Sequence, residues 1–165
     1  FLRPGPERKD SWVYGDHYIA WPLVVTRSAM EDAPDELSLY SVEGNSTGTS
    51  SHLRRYTLRI DGFVSVNAPL HGGEMLTRPL VFSGSELVMN YSTSAAGSLS
   101  VELQTELGKP IDGFTLADCG EIYGDEIELV VSWKGNSNLS KLAGTPVRLR
   151  FVIKDGDLYS IRFRP

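Results

Sequence analysis

Hydrophobic side chains in this sequence recur at every second residue, in short runs separated by turn signals. Side chains point to alternate faces along a β-strand, so this period is typical of strands with one buried face. The pattern predicts an all-β chain whose antiparallel strands form a two-sheet β-sandwich, jelly-roll or concanavalin-like. The predicted inward rows are Tyr56, Leu58, Ile60; Leu87, Met89, Tyr91; Leu99, Val101, Leu103; Ile127, Leu129, Val131, Trp133; Val147, Leu149, Phe151, Ile153; and Tyr159, Ile161, Phe163.

Turn-forming residues lie between these rows. Asp155-Gly156 stands between two alternating runs and predicts a two-residue hairpin turn, because both residues tolerate the backbone angles that such a turn requires. Only residues 138–144 have a helical pattern, with Asn138 as a cap and Gly144 as a terminator. We therefore expect one short helical turn there.

The first 52 residues differ in composition from the rest. They carry four basic and eight acidic side chains, and they end in a segment, residues 43–51, that is almost entirely Gly, Asn, Ser and Thr. We interpret residues 1–52 as an N-terminal β segment with a flexible linker, and residues 53–165 as the β-sandwich domain. The alternative is that the first 52 residues form a long hairpin added to the same sandwich. Because the chain begins with Phe1 rather than Met, we expect it to be a piece of a longer protein.

Charge and cysteine content exclude several classes of partner and site. The formal net charge of −5 argues against a nucleic acid or an anionic membrane as the main partner. No apolar run approaches the ~18 residues of a membrane span. Cys119 is the only cysteine, so an intramolecular disulfide and a zinc site built on thiolates are both excluded. We interpret Cys119 as a small buried hydrophobe.

Carboxylate side chains are candidates for a metal-binding or catalytic site. Residues 112–125 read as a long acidic loop in which Asp112, Asp118 and Asp125 could hold a calcium ion together with backbone carbonyl oxygens. Calcium is the one cofactor that the sequence suggests. A small jelly-roll glycosidase or lyase that uses carboxylates of this loop is an alternative function, since sugar cleavage requires a pair of them.

Aromatic side chains are candidates for a carbohydrate-binding site, because sugars stack on exposed Trp and Tyr rings. Tyr123, in the acidic loop, is the best candidate for an exposed ring, and the other candidates are Trp133, Tyr159 and Tyr91. Trp133 and Tyr159 continue inward rows, which favours a core role over a binding role for both. If every large aromatic side chain proves buried, a purely structural or protein-interaction module becomes the better interpretation.

Residues 53–68 form a run, Leu-Arg-Arg-Tyr-Thr-Leu-Arg-Ile-Asp-Gly-Phe-Val-Ser-Val-Asn-Ala, that resembles a segment of bacterial glycoside-hydrolase-like proteins. In those proteins a five-bladed β-propeller, related to glycoside hydrolase families 32 and 43, precedes a β-sandwich. The resemblance covers residues 53–163, with further matches at residues 76–80, 90–97, 111–114, 131–135 and 142–151. Residues 10–42 resemble the closing strands of such a propeller.

The resemblance implies that this chain is the non-catalytic end of a glycoside hydrolase. The catalytic carboxylates of the family lie on inner propeller strands, and their motifs have no counterpart in this sequence. The sandwich would then be an accessory domain that packs on an upstream propeller and binds a polysaccharide or oligosaccharide. The resemblance also implies a secreted or periplasmic protein.

Overall fold

The computed structural model describes residues 18–43 and 51–165. Residues 10–17 of the propeller-like segment and residues 44–50 of the predicted linker lie outside the described residues. The described chain is all-β and sandwich-like, with two antiparallel sheets and a single short helical turn, which confirms the predicted fold class. The chain divides into two compact units between Ile60 and Asp61.

The first unit contains a sheet centred on one strand. Its strands are β1 (Tyr18–Ile19), β2 (Val24–Thr26), β3 (Glu36–Glu43) and β4 (His52–Arg59). β4 pairs with the whole length of one edge of β3, while β1 and β2 lie one after the other along the opposite edge. The division between the units therefore falls after β4, whereas the sequence pattern suggested a boundary after His52.

The second unit is organised around two long strands that pair with each other. Its elements are β5 (Val66–Ala68), β6 (Gly73–Leu76), β7 (Glu86–Thr105), α1 (Leu116–Cys119), β8 (Asp125–Val130) and β9 (Val147–Arg164). β7 and β9 are antiparallel, β5 and β6 pair with the outer edge of β9, and β8 pairs with β7.

The predicted hairpin at Asp155-Gly156 is wrong, because β9 runs through both residues as one strand. Residues 94–97 of β7 stand opposite Asp155 alone, and this mismatch bends both strands. Asp155 takes a φ of 43°, an angle that suits a bulge as well as a turn. The bend brings the backbones of β7 and β9 very close together. A Cβ on Gly97 would lie 2.4 Å from the carbonyl oxygen of Asp155.

The bend folds the second sheet around its own core. Both halves of β7 and of β9 turn the same face inward, so most of the inward residues predicted for these strands meet inside one curled sheet. Leu158 is buried there instead of the predicted Tyr159. The predicted row Tyr56, Leu58, Ile60 belongs to the first unit. Phe82 stacks on Phe163 with ring centroids 4.0 Å apart, and Phe114 meets Trp133 edge to face at 5.4 Å. The fully buried large side chains are Trp133, Tyr91, Phe151, Leu87, Met89, Leu99, Leu103, Leu139, Leu149, Ile153, Val88 and Val101.

The helical turn lies at a different place from the one predicted. Residues 138–144 form consecutive turns, with Leu142 N bonded to Leu139 O at 2.8 Å, and no described helix includes them. The helix is α1 instead, inside the segment that was predicted to be a loop. Thr115 caps it through a reciprocal pair of bonds with Asp118, a capping box that satisfies two backbone N–H groups. None of the described helices has the length and apolar character needed to cross a membrane.

Candidate functional site

Tyr123 lies on a short segment that joins the two halves of β7. Ile122, the residue before it, exchanges two backbone hydrogen bonds with Leu99 in the second half of the strand, at 2.7 and 2.8 Å. Gly124, the residue after it, bonds to Thr93 in the first half: its N–H donates to Thr93 Oγ1 at 3.0 Å, and its carbonyl accepts from Thr93 N at 2.8 Å. The segment therefore spans the bend of β7.

Tyr123 itself is held by a buried tyrosine. The hydroxyl of Tyr91, a residue that is 1% exposed, donates to the backbone carbonyl of Tyr123 at 3.0 Å. Gly124 has a φ of 115°, a backbone angle that favours glycine, so the chain can turn away directly after Tyr123. The ring of Tyr123 is left 75% exposed. The result is an outward aromatic side chain on a backbone fixed by five hydrogen bonds.

The other predicted aromatic candidates do not share this exposure. Trp133 is 1% exposed, and its Nε1–H donates to the carbonyl of Val101 at 2.9 Å. Tyr91 is equally buried, so the interpretation of either residue as a stacking surface does not fit the structure. Tyr159 is half-buried and is the extra residue of a second bulge, since Asn90 pairs with Ser160 and Tyr91 with Leu158. Of the four candidates, only Tyr123 is largely exposed to solvent.

The three aspartates proposed for calcium are placed in different surroundings. Asp112 is exposed in a turn, Asp118 belongs to α1, and Asp125 is exposed at the start of β8. Within residues 18–43 and 51–165, no three His, Cys, Asp or Glu side chains are grouped as a metal ion would need. The described structure thus provides no assembled calcium site.

Asp118 is engaged in structural contacts. One of its carboxylate oxygens lies 2.5 Å from Lys134 Nζ, and the other accepts from the Thr115 hydroxyl at 2.8 Å. The Lys134 ammonium first, and then the two Thr115 donors, lower the pKa of Asp118 from 3.8 to about 2. This carboxylate stabilises α1 as an anion, which does not suit a general acid.

Cys119, at the end of α1, was interpreted as a small buried hydrophobe, and the structure buries it only in part. It is half-buried against the core, and its sulfur accepts from the Val101 amide at 3.4 Å. Burial raises the pKa of the thiol above its ordinary value. A thiol in this state is a weak nucleophile.

The first sheet contains a buried carboxylate that the sequence pattern did not reveal. Glu43 was assigned to the linker, but it is the last residue of β3 and only 8% exposed. It accepts from the hydroxyl of Tyr56, and its other oxygen lies 3.1 Å from both His52 Nε2 and Arg54 Nε. The hydrogen bond to Glu43 is the main cause of the raised pKa of Tyr56. With three partners around it, Glu43 links β3 to β4.

On the opposite face of this sheet, Arg55 joins three strands. Its guanidinium donates to Ser38 Oγ and Thr26 Oγ1, both at 2.7 Å, and pairs with Glu36 at 2.7 Å. Like the Glu43 contacts, these bonds depend on strand register, which a lone sequence does not specify. We assign both groups a role in holding the sheet together.

Comparisons with known proteins add no relative. No family model, no curated protein and no solved structure matches this chain.

Proposed function

We propose that this chain is a non-catalytic accessory module of a glycoside-hydrolase-like protein, and that it binds carbohydrate at Tyr123. The observation that carries the proposal is the exposed ring of Tyr123 on a backbone segment fixed to both halves of β7. A flat ring with a polar edge can stack on the apolar face of a sugar while its hydroxyl bonds to a neighbouring group.

The fixed backbone supports a binding role because it lowers the entropic cost of association. A ring on a mobile loop would have to be ordered when the ligand arrives, and that ordering would subtract from the affinity. Here hydrogen bonds to Tyr91, Thr93 and Leu99 already order this backbone in the folded chain. The backbone that carries the ring is thus ordered before any ligand binds.

The first sheet supports the remaining part of the proposal, a location beside a propeller. Propeller blades are four-stranded antiparallel sheets. β2, β3 and β4 run antiparallel in succession and pair side by side, as consecutive strands of a blade do. In this proposal they supply strands of a blade, and the second unit is the accessory domain.

The test is retention of the whole 165-residue chain on immobilised plant and algal polysaccharides. We expect at least one polysaccharide to retain the chain, and we expect Tyr123→Ala to weaken retention about tenfold, which corresponds to about 1.4 kcal/mol of lost binding. Tyr123→Phe keeps the ring and should preserve most of the affinity.

Leu107→Ala is the matched control, because Leu107 is 87% exposed but lies in the turn beyond the far end of β7. Its removal should leave retention unchanged. The proposal is overturned if no polysaccharide or oligosaccharide binds the chain, or if Tyr123→Ala and Leu107→Ala have the same effect.

A further inference from the structure

Glu121 lies two residues before Tyr123, whose ring is exposed. The two residues flank Ile122, whose side chain packs against the core while its backbone pairs with Leu99. Alternate residues of an extended segment point to the same side, so Glu121 and Tyr123 both face away from the core. Both are exposed. A carboxylate and an aromatic ring therefore share one outward surface, with Cα atoms about 6–7 Å apart.

The chain around this surface has an unusual charge distribution. Residues 110–133 contain six Asp and Glu but no Lys, Arg or His. Asp118 and Glu128 are paired with Lys134 and Arg162. Asp125 and Glu126 make contacts of their own. Asp112 is exposed in a turn that precedes α1. Glu121 is thus the carboxylate best placed to meet a ligand that stacks on Tyr123.

We propose that Glu121 makes the Tyr123 surface selective for glycans that carry free amines, that is, unacetylated hexosamine units. This inference rests on the proposed carbohydrate binding and names the class of sugar bound. A protonated amine gains from a nearby carboxylate, whereas the carboxylate of a uronate or a sulfate ester is repelled by it. An uncharged glycan keeps the stacking contact but loses the ionic one.

The experiment compares β-1,4-linked glucosamine hexamer with its fully N-acetylated form at pH 5.5, where the amines of the first are protonated. Acetylation removes the charge and adds an acetyl group, so the Glu121→Gln variant described below isolates the contribution of charge. Binding of the whole chain is measured by calorimetry at low and at high salt. We expect the amine form to bind about fivefold more tightly, the size of effect that an exposed ion pair provides. High salt should reduce this ratio, because exposed charges are screened.

Glu121→Gln should bring the ratio close to one while preserving affinity for the acetylated hexamer. Glu106→Gln removes the same charge from the turn just beyond the far end of β7, roughly 20 Å along the chain from Leu99, and should leave the ratio unchanged. Tyr123→Ala should weaken binding of both hexamers. Hexalysine should bind more weakly than the amine hexamer, because it offers no sugar face to the ring.

The outcomes separate the two proposals. Equal binding of the two hexamers, each sensitive to Tyr123→Ala, overturns the amine selectivity but preserves carbohydrate binding. Tight binding of hexalysine that ignores Tyr123→Ala also overturns it, since the surface would then attract any cation. If neither hexamer nor any polysaccharide binds, both proposals fail.

Discussion

Tyr91 donates its hydroxyl hydrogen to the backbone carbonyl of Tyr123, so a buried tyrosine fixes the position of an exposed one. The two residues lie 32 positions apart in the sequence. The ring of Tyr91 belongs to the core of the curled sheet, and its hydroxyl reaches the surface segment. Core packing and the presentation of the candidate sugar-binding ring are therefore coupled through one hydrogen bond.

Tyr91→Phe tests this coupling. The substitution preserves the buried ring and removes the hydroxyl, so we expect the free energy of unfolding to fall by about 1 kcal/mol. Retention on the polysaccharide that binds the unmodified chain should also weaken, because the backbone of Tyr123 loses one of its anchors. Urea denaturation and the retention assay measure the two effects. Unchanged retention with lowered stability would mean that the remaining anchors at Leu99 and Thr93 suffice.

Glycine at position 97 is required by the close approach of β7 to β9. An added Cβ would lie 2.4 Å from the carbonyl oxygen of Asp155 and 2.7 Å from that of Lys154, distances that real side chains do not show. Both obstacles are backbone atoms, which cannot move without opening the bend. We expect Gly97→Ala to lower the free energy of unfolding by at least about 2 kcal/mol, measured by urea denaturation.

Gly73→Ala is the control for this prediction. Gly73 also lies in the second sheet, but its added Cβ would meet only the Ala68 side chain at an ordinary 3.5 Å. Alanine is favoured over glycine in a strand, so the change should be neutral or slightly stabilising. Similar losses of stability in the two variants would contradict the steric explanation.

Alternation in the sequence predicts the strands of the second unit well, and it predicts their bends poorly. Leu99, Val101 and Leu103 face the core as expected, because a half-buried strand imposes period two directly on the sequence. Asp155-Gly156 permits a tight turn and a bulge equally. The choice depends on long-range pairing of β9 with β7, which a local pattern does not contain.

The candidate site, too, could be predicted only in part from the sequence. The acidic, turn-rich surroundings of Tyr123 favoured an exposed ring, and the structure exposes it. The fixed backbone could not be predicted, because its anchors, Tyr91, Thr93 and Leu99, become neighbours only after β7 bends. The capping box of Thr115 and Asp118 is visible in the sequence, but its four-residue helix is too short to leave a helical hydrophobic pattern.

We expect the stability of the second unit to depend on pH through Asp118. Its pKa is lowered from 3.8 to about 2 in the folded chain by Lys134 and Thr115, so the folded state favours the ionised carboxylate. The resulting stabilisation is complete well above pH 3.8 and is lost as the pH falls toward about 2. We expect Asp118→Asn to be less stable than the unmodified chain at pH 7. The difference in the free energy of unfolding should shrink to near zero as the pH falls to about 2.

Urea denaturation of both chains between pH 7 and pH 2, followed by tryptophan fluorescence, measures this difference. Asp112→Asn removes one exposed carboxylate from the same segment and should follow the unmodified chain at every pH, since it leaves the contacts of Asp118 intact. A stability difference for Asp118→Asn that stays constant with pH would assign its effect to lost hydrogen bonding in the capping box. The ion pair with Lys134 would then contribute nothing measurable, as many exposed pairs do.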